Sequence, residues 1–247
     1  MSLKIGVNLT TNYSINFNYP KREKKQIKFI ILHYTGMKNE SGAIKKLCDS
    51  KSKVSSHYFI KFDGKILNLV PDLYEAWHAG KSNWKKIKSI NKYSIGIEIQ
   101  NQGHDYKYEE FSYAQIKSLK ILLKQLIRKY KIDLKNILGH SDIAPDRKKD
   151  PGEKFPWKKL AKSNLANWHH LDEKKNKIFR LKKLNKNQEA SFLKNIYSVG
   201  YCKIDKIDPR SNKRLLFKAF QRKYRQDLIN GKSDQECFFI SKNLLKS

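Results

Sequence analysis

Three short apolar runs of this sequence each carry one side chain that can do chemistry. His33 ends the first run, Glu98 lies inside the second, Ser94–Ile99, and His140 ends the third. Buried strands rarely keep an imidazole or a carboxylate without a partner. Two histidines, a nearby aspartate and a separate glutamate are together the parts of a catalytic zinc site, in which three protein ligands leave one position for water.

The polar stretch after His140 supplies the other groups that such a site needs. Three of its aspartates are candidates for the third metal ligand: Asp142, Asp146 and Asp150. A zinc hydrolase also needs a carboxylate that moves a proton, for which Glu98 is the candidate. It profits from a cation near the oxyanion, for which Lys148 and Lys149 are candidates. Spacing alone leaves the third ligand open, and the HExxH pattern of another zinc hydrolase type is absent.

Strand and helix patterns indicate how these side chains are held. Five runs are predicted to be strands: Lys28–His33, His57–Ile60, Ile66–Val70, Ser94–Gln100 and Asn136–His140. Asp63-Gly64 predicts a hairpin between the second and the third strand, because it supplies the positive φ of a tight turn. Apolar residues at helical spacing predict helices over Ser41–Ser50 and Ser112–Tyr130. The expected fold class is α/β, with a mixed central sheet flanked by helices.

The sequence changes character after about residue 164, where Lys, Asn and His become frequent. Asp172–Asn176 is predicted to be a linker. Three short helices are predicted after it: Gln188–Val199, Ser211–Tyr224 and Asp234–Leu245. We therefore expect a catalytic domain over residues 1–170 and a small three-helix domain over residues 176–247, with residues 1–25 as an arm without a clear element.

The composition limits the class of protein. The chain has 247 residues, 39% of them hydrophobic, and a formal net charge of +30, which favours an anionic partner. It contains no zinc finger, helix-turn-helix or RNA-binding aromatic motif, so we expect no nucleic acid partner. No stretch reaches the roughly 18 apolar residues of a membrane span. We expect a cytoplasmic protein if the N-terminus is native, and a periplasmic or cell-envelope protein if a leader has been removed.

Seven motifs occur in an order that resembles a known family. They are Ile31–Thr35, Val54–Tyr58, Ala76–Gly80, Ser94–Glu98, Gly139–Pro145, Arg147–Gly152 and Phe155–Trp157. Together they look like the type-2 N-acetylmuramoyl-L-alanine amidases of the AmpD/AmiD-like group, a zinc family that includes peptidoglycan recognition proteins. The resemblance spans about residues 29 to 160, and it is specific because all seven motifs agree.

The resemblance implies which candidate residues act. The zinc ligands of the family fall on His33, His140 and Asp150, which implies one zinc ion per chain. Its catalytic glutamate falls on Glu98 and its catalytic lysine on Lys148. The implied reaction is hydrolysis of the amide bond between N-acetylmuramic acid and L-alanine, in peptidoglycan or in soluble muropeptides. The alternative is a recognition protein that binds muropeptide without cutting it, but recognition members usually lose a ligand and this chain keeps the full set.

Further residues are expected to contact the substrate. Trp77 and His78 fall where the family lines its substrate groove, and we place Tyr34 with them. Some members carry a tyrosine where Ser56 stands here, which leaves the acid/base work to Glu98.

The C-terminal segment has a resemblance of its own. Ala219–Arg225 followed by Gly231–Asp234 looks like the three-helix peptidoglycan-binding module, although Cys237 stands near the place of a threonine that is frequent there. A catalytic domain with such a tail is similar to the AmiD branch of the family. We expect a monomer that binds peptidoglycan or a muropeptide.

Overall fold

The computed structural model describes residues 13–204 and 208–246. Its strands are β1 (Phe17–Asn18), β2 (Phe29–Tyr34), β3 (Tyr58–Ile60), β4 (Ile66–Asn68), β5 (Glu75–Ala76), β6 (Asn83–Trp84), β7 (Ile87–Lys88), β8 (Ser94–Ile99) and β9 (Ile137–Gly139). Its α-helices are α1 (Glu40–Cys48), α2 (Tyr113–Tyr130), α3 (His140–Ile143), α4 (Trp157–Ala161), α5 (Glu173–Lys177), α6 (Lys186–Val199), α7 (Pro209–Tyr224) and α8 (Gln235–Leu244). Short 3-10 helices cover Lys24–Gln26, Ser50–Ser52, Ile90–Tyr93 and Leu134–Asn136.

The chain divides into two compact units. The first contains the described residues of 1–80 and 89–138, and the second contains residues 81–88 and the described residues of 139–247. The division predicted from the sequence, into a catalytic domain over residues 1–170 and a helical domain over residues 176–247, stays a prediction.

A five-stranded mixed sheet forms the core of the first unit. Its strand order is β4-β3-β8-β2-β9. β2 and β3 both run parallel to β8, whereas β3 and β4 form an antiparallel hairpin. The hairpin turns at Gly64, whose φ of 86° is the positive value expected from the Asp-Gly pair. The predicted fold class, a mixed sheet flanked by helices, is confirmed.

A capping box at the start and a left-handed residue at the end determine the bounds of helix α2. The Ser112 hydroxyl oxygen accepts from the Gln115 N–H, and the Gln115 side chain accepts from the Ser112 N–H, which forms a capping box. Leucines at helical spacing, including Leu119, Leu123 and Leu126, are buried on one face. The helix ends at Lys131, which adopts the left-handed conformation.

Residues 1–25 were predicted to form an arm without a clear element. Of these, the first twelve lie outside the described part of the chain. The described remainder of the segment before β2 contains β1 and a 3-10 helix, so the prediction is wrong there. Its polar residues Ser14 and Asn16 are buried, and their side chains donate to backbone carbonyls of the segment 47–54. Three apolar residues of the same segment, Tyr13, Ile15 and Tyr19, are 48%, 62% and 74% exposed. Phe17 of β1 is buried, so these exposed apolar side chains flank the strand and do not belong to it.

The second unit contains the three predicted C-terminal helices, α6, α7 and α8. The Phe192 ring of α6 packs against Phe217 and Phe220 of α7, with ring centroids 5.0 and 5.6 Å apart. The segment predicted to be a linker, Asp172–Asn176, is mostly helical. The Asp172 side chain accepts from two backbone N–H groups and caps the start of α5. No helix within residues 13–204 and 208–246 combines the length and the apolar character needed to cross a membrane.

Candidate metal centre

His33 lies near the carboxyl end of β2, in register with Glu98 of β8. Residues in register on parallel strands point to the same face of a sheet, so the imidazole and the carboxylate project side by side. Alternation along β8 places Ser94 and Gly96 on this face as well. The sheet therefore brings the predicted ligand and the predicted proton carrier together.

A chain of hydrogen bonds determines which nitrogen of His33 carries the proton. The Ser94 hydroxyl donates to the Ile90 carbonyl (2.8 Å), so its oxygen accepts from the Nε2–H of His78 (3.1 Å). Nδ1 of neutral His78 is then an acceptor, and it lies 3.0 Å from Nε2 of His33. His33 therefore donates through Nε2–H and carries its lone pair on Nδ1, as a metal ligand oriented by a second residue does.

The His78 ring fits on the sheet because residue 96 has no side chain. A Cβ at Gly96 would lie 2.4 Å from Cγ and 2.7 Å from Nδ1 of His78, closer than real Cβ atoms approach. His78 is also only 8% exposed, so its ring has little freedom to move. Gly96 is thus needed for the hydrogen bond between His78 and His33.

His140 and Asp150 are tied together through the backbone. β9 ends at Gly139, and α3 begins at His140. The Ser141 N–H donates to the Asp150 carbonyl (2.9 Å), which closes the loop between the two candidate ligands. Nδ1 of His140 lies 3.1 Å from Oδ2 of Asp150, and both residues are buried.

The ligand atoms of His33, His140 and Asp150 lie within 4.8 Å of one another, and all three residues are buried. Two imidazole nitrogens and one carboxylate oxygen are a donor set that suits zinc in catalytic sites. Of the other aspartates that spacing left open, Asp142 accepts from three donors elsewhere, and neither it nor Asp146 belongs to such a group among the described residues.

The family described as N-acetylmuramoyl-L-alanine amidase matches residues 23–153, more than half of the chain. This chain belongs to the N-acetylmuramoyl-L-alanine amidase family. The predicted enzyme class, hydrolysis of the bond between N-acetylmuramic acid and L-alanine, is confirmed with it.

One amidase extends the likeness to most of the chain, and a second matches less than half of it. N-acetylmuramoyl-L-alanine amidase AmiD of Escherichia coli (strain K12) is 34% identical in an alignment that covers 98% of this chain and 89% of AmiD. 1,6-anhydro-N-acetylmuramyl-L-alanine amidase AmpD of the same strain is 43% identical over 105 residues, which cover 42% of this chain and 55% of AmpD.

Two solved structures resemble the fold. AmiD from E. coli in complex with the substrate anhydro-N-acetylmuramic acid-L-Ala-D-gamma-Glu-L-Lys has a TM-score of 0.80 and 33% identity, covering 93% of this chain and 90% of AmiD. AmpDh3 from Pseudomonas aeruginosa in complex with anhydromuramic pentapeptide has a TM-score of 0.80 and 30% identity, covering 96% of this chain and 98% of AmpDh3.

The two lysines predicted as candidate cations lie in the loop that follows α3 of this amidase. The Lys148 N–H donates to the Ala144 carbonyl (3.0 Å), and the residue is partly buried, whereas Lys149 is exposed. The catalytic roles of Lys148 and Glu98 stay predictions.

Tyr34, predicted to contact the substrate, belongs to an aromatic group that sequence reasoning missed. Its hydroxyl lies 2.8 Å from Nδ1 of His104, and its ring packs against His104 and Tyr108 at 5.7 Å between centroids. The His104 and Tyr108 rings stack at 4.4 Å. Their place in the sequence could have indicated His104 and Tyr108. Both follow β8 by a few residues, and loops beyond strand ends carry functional residues in many enzymes.

Trp77 and His57 have different environments. The Trp77 indole N–H donates to Oδ1 of Asn18 (3.0 Å), and the residue is partly exposed, so its predicted contact with substrate stays a prediction. His57 is fully buried, and its Nδ1 accepts from the Gly96 N–H (3.0 Å). Burial, together with the charge of Arg22, lowers the pKa of His57 to about 3, so this imidazole is a neutral structural group.

Proposed function

We propose that this amidase depends on zinc and that His33, His140 and Asp150 bind one zinc ion per chain. The observation that carries the proposal is the buried group of three ligand atoms within 4.8 Å. The lone pair on Nδ1 of His33 supports it, because metal ligands need an unprotonated nitrogen. When bound, zinc supplies Lewis acidity that polarises the scissile carbonyl and lowers the pKa of a water molecule.

Glu98 is the proposed proton carrier. Its register beside His33 and its partial exposure support this role. The carboxylate takes a proton from the attacking water as the new carbon–oxygen bond forms. It then delivers the proton to the nitrogen of L-alanine as the carbon–nitrogen bond breaks, which leaves a free lactyl carboxylate and a free amine.

Lys148 is the proposed cation that stabilises the oxyanion of the tetrahedral intermediate. It follows the ligand His140 on the same loop and precedes the ligand Asp150 by two residues. Partial burial strengthens the interaction of a cation with a developing negative charge, relative to the same cation in water. The exposed Lys149 lacks that advantage.

The proposed substrate class is the muropeptide in which N-acetylmuramic acid or its anhydro form carries a peptide that begins with L-alanine. The substrate-bound relatives AmiD and AmpDh3 support this choice. We assign substrate contacts to Tyr34 and Trp77, whose partly exposed aromatic rings suit a sugar or a peptide face. For His78, the 3.0 Å contact with His33 favours a role in holding that ligand.

We also propose that the C-terminal helices bind the wall polymer. A cavity of about 400 Å³ lies in the second unit, and Trp168, His169 and Tyr224 contribute rings to it. Trp168→Ala should reduce the fraction of protein that sediments with sacculi. The assay belongs at ~0.15 M salt or above, because nonspecific attraction from the net charge is then screened beyond about 8 Å. Unchanged sedimentation would contradict this role.

The decisive experiment follows the products. Mass spectrometry of a soluble anhydro-muropeptide and of sacculi treated in parallel should show a free peptide with an L-alanine amine and an intact sugar. Elemental analysis of protein purified without added metal should give about one zinc per chain, and chelation should abolish cleavage until zinc is restored. Full activity after exhaustive chelation, or substrate that binds but stays uncut, would refute the proposal.

A further inference from the structure

Asp142 connects the C-terminal helices to the loop that carries two metal ligands. Its Oδ1 accepts from the Tyr201 hydroxyl (2.6 Å), and its Oδ2 accepts from the Lys223 ammonium (3.1 Å) and from the Gly139 N–H (2.8 Å). Asp142, Tyr201 and Lys223 are 1–2% exposed. The Asp142 carboxylate thus binds two side chains that lie 59 and 81 positions further along the chain.

Stability alone does not explain such a pair. Burying an ammonium and a carboxylate costs solvation, and apolar residues of similar volume often replace a buried ion pair with no loss of stability. The pair does fix geometry, because each partner must stay within hydrogen-bond distance of the other. Lys223 is held further by the Trp157 ring, which its Nζ overlies at 4.5 Å from the centroid.

The two donors come from rigid surroundings. Lys223 belongs to α7, three residues after Phe220, whose ring is buried among those of Phe192 and Tyr224. The Tyr201 ring packs edge-on against Trp84, with centroids 4.9 Å apart. The packing around Lys223 and Tyr201 therefore holds both donors in fixed positions beside the carboxylate.

The carboxylate in turn fixes the backbone of the ligand loop. Gly139, which donates to it, directly precedes His140, and the Ser141 N–H holds the Asp150 carbonyl. Gly139 also packs closely on the residue after Asp150, since a Cβ at position 139 would lie 2.7 Å from Cδ of Pro151. Displacement of Asp142 therefore displaces His140 and loosens its tie to Asp150.

We infer that Tyr201 and Lys223 are positioning residues of the metal centre, which hold His140 and Asp150 at ligand spacing through Asp142. The inference rests on the proposed metal-binding role of the two ligands. It makes the C-terminal helices part of the metal centre, in addition to any role at the wall. A preformed ligand set binds metal more tightly than one that must be ordered on binding.

Zinc affinity of the full-length chain tests the inference, measured by competition with a chromophoric chelator. Tyr201→Phe removes one hydroxyl and keeps the ring, and Lys223→Met removes the charge and keeps the length. Each should weaken zinc binding about 10-fold or more, the range typical of residues that orient metal ligands. The visible spectrum of the cobalt-substituted protein should also change, because it reports ligand geometry directly.

Arg225→Met is the matched control. Arg225 forms a similarly buried ion pair with Asp234 (2.6 Å), two residues beyond Lys223, without a hydrogen bond to the ligand loop. It should lower thermal stability and leave the zinc dissociation constant and the cobalt spectrum unchanged. A wild-type zinc affinity and spectrum in folded Tyr201→Phe would overturn the inference, and this variant decides the matter if Lys223→Met does not fold.

The test of the positioning role and the test of the proposed function can fail independently of each other. A wild-type protein that binds zinc but leaves muropeptides uncut refutes the proposed reaction, while zinc affinities of the variants still judge Tyr201 and Lys223. Conversely, active variants with unchanged zinc affinity refute only the positioning role. Restoration of the wild-type cobalt spectrum by Lys223→Arg, which keeps the charge, would further support it.

Discussion

Gly96→Ala perturbs the proposed metal ligand His33 without changing any of the three proposed ligands. The added methyl would lie 2.4 Å from Cγ of His78, about 1 Å closer than ordinary van der Waals contact. The His78 ring must therefore move by a distance of that order. Its hydrogen bond to His33 is now 3.0 Å long, and a shift of 1 Å along it would exceed hydrogen-bond range.

The expected result is a loss of zinc affinity by about 10- to 100-fold, or ~1.4–2.7 kcal/mol, because His33 loses the partner that orients it. Overpacking should also lower the free energy of unfolding by about 1–3 kcal/mol. Chelator competition measures the first quantity and denaturant titration of the apo protein measures the second.

A double-mutant cycle with His78→Ala separates clash from orientation. In the His78→Ala background the methyl has no ring to displace, so Gly96→Ala should cost little further stability and no further zinc affinity. Additive losses of zinc affinity in the double variant would refute the reasoning. So would a Gly96→Ala protein that is destabilised but binds zinc as the wild type does.

Three further predictions concern catalysis and pH. Glu98→Gln should retain zinc and lower kcat by roughly 10²–10⁴, and wild-type turnover of the metal-loaded variant would contradict the assignment of proton transfer. Lys148→Ala should lower kcat on the order of 10²-fold, whereas Lys149→Ala should change it little; steady-state kinetics of the pair test which lysine acts. Burial, the largest cause for both, lowers the pKa of His57 to about 3 and of His169 to about 4 in the folded protein, against ~6.5 when unfolded. The unfolded chain therefore binds protons that the folded chain does not, so stability is full above pH 6.5 and falls with decreasing pH, by about 2 kcal/mol per histidine at pH 5. Denaturant titrations at pH 7 and 5 should show this loss, and a smaller one in His169→Gln; an equal pH dependence would count against the prediction.

The strands were predictable because their signals are local. The five predicted strands of the central sheet agree with the structure to within two residues at each end. The register of the strands then places Glu98 beside His33. The choice of Asp150 came from family resemblance, because a loop of ten residues can present any of its three aspartates.

The contacts that sequence reasoning missed depend on tertiary structure. Gly96 looks like an ordinary strand glycine until the His78 ring is seen above it. Nothing near Asp142 indicates that Tyr201 and Lys223 reach it from α7 and the segment before it. Asp172, by contrast, carried a local capping signal for α5 that the surrounding polar composition obscured.

The exposed apolar side chains that flank β1 have a consequence for how copies of this protein behave in solution. Tyr13, Ile15 and Tyr19 stand exposed on a chain whose net charge is +30. Like charges keep copies apart over a Debye length, which shrinks from ~10 Å at 0.1 M salt to ~3 Å at 1 M. Concentrated salt therefore removes the repulsion and leaves these exposed apolar side chains as places where copies can adhere. Colloidal stability of this basic protein should be greatest in dilute salt, and light scattering should rise as salt is added.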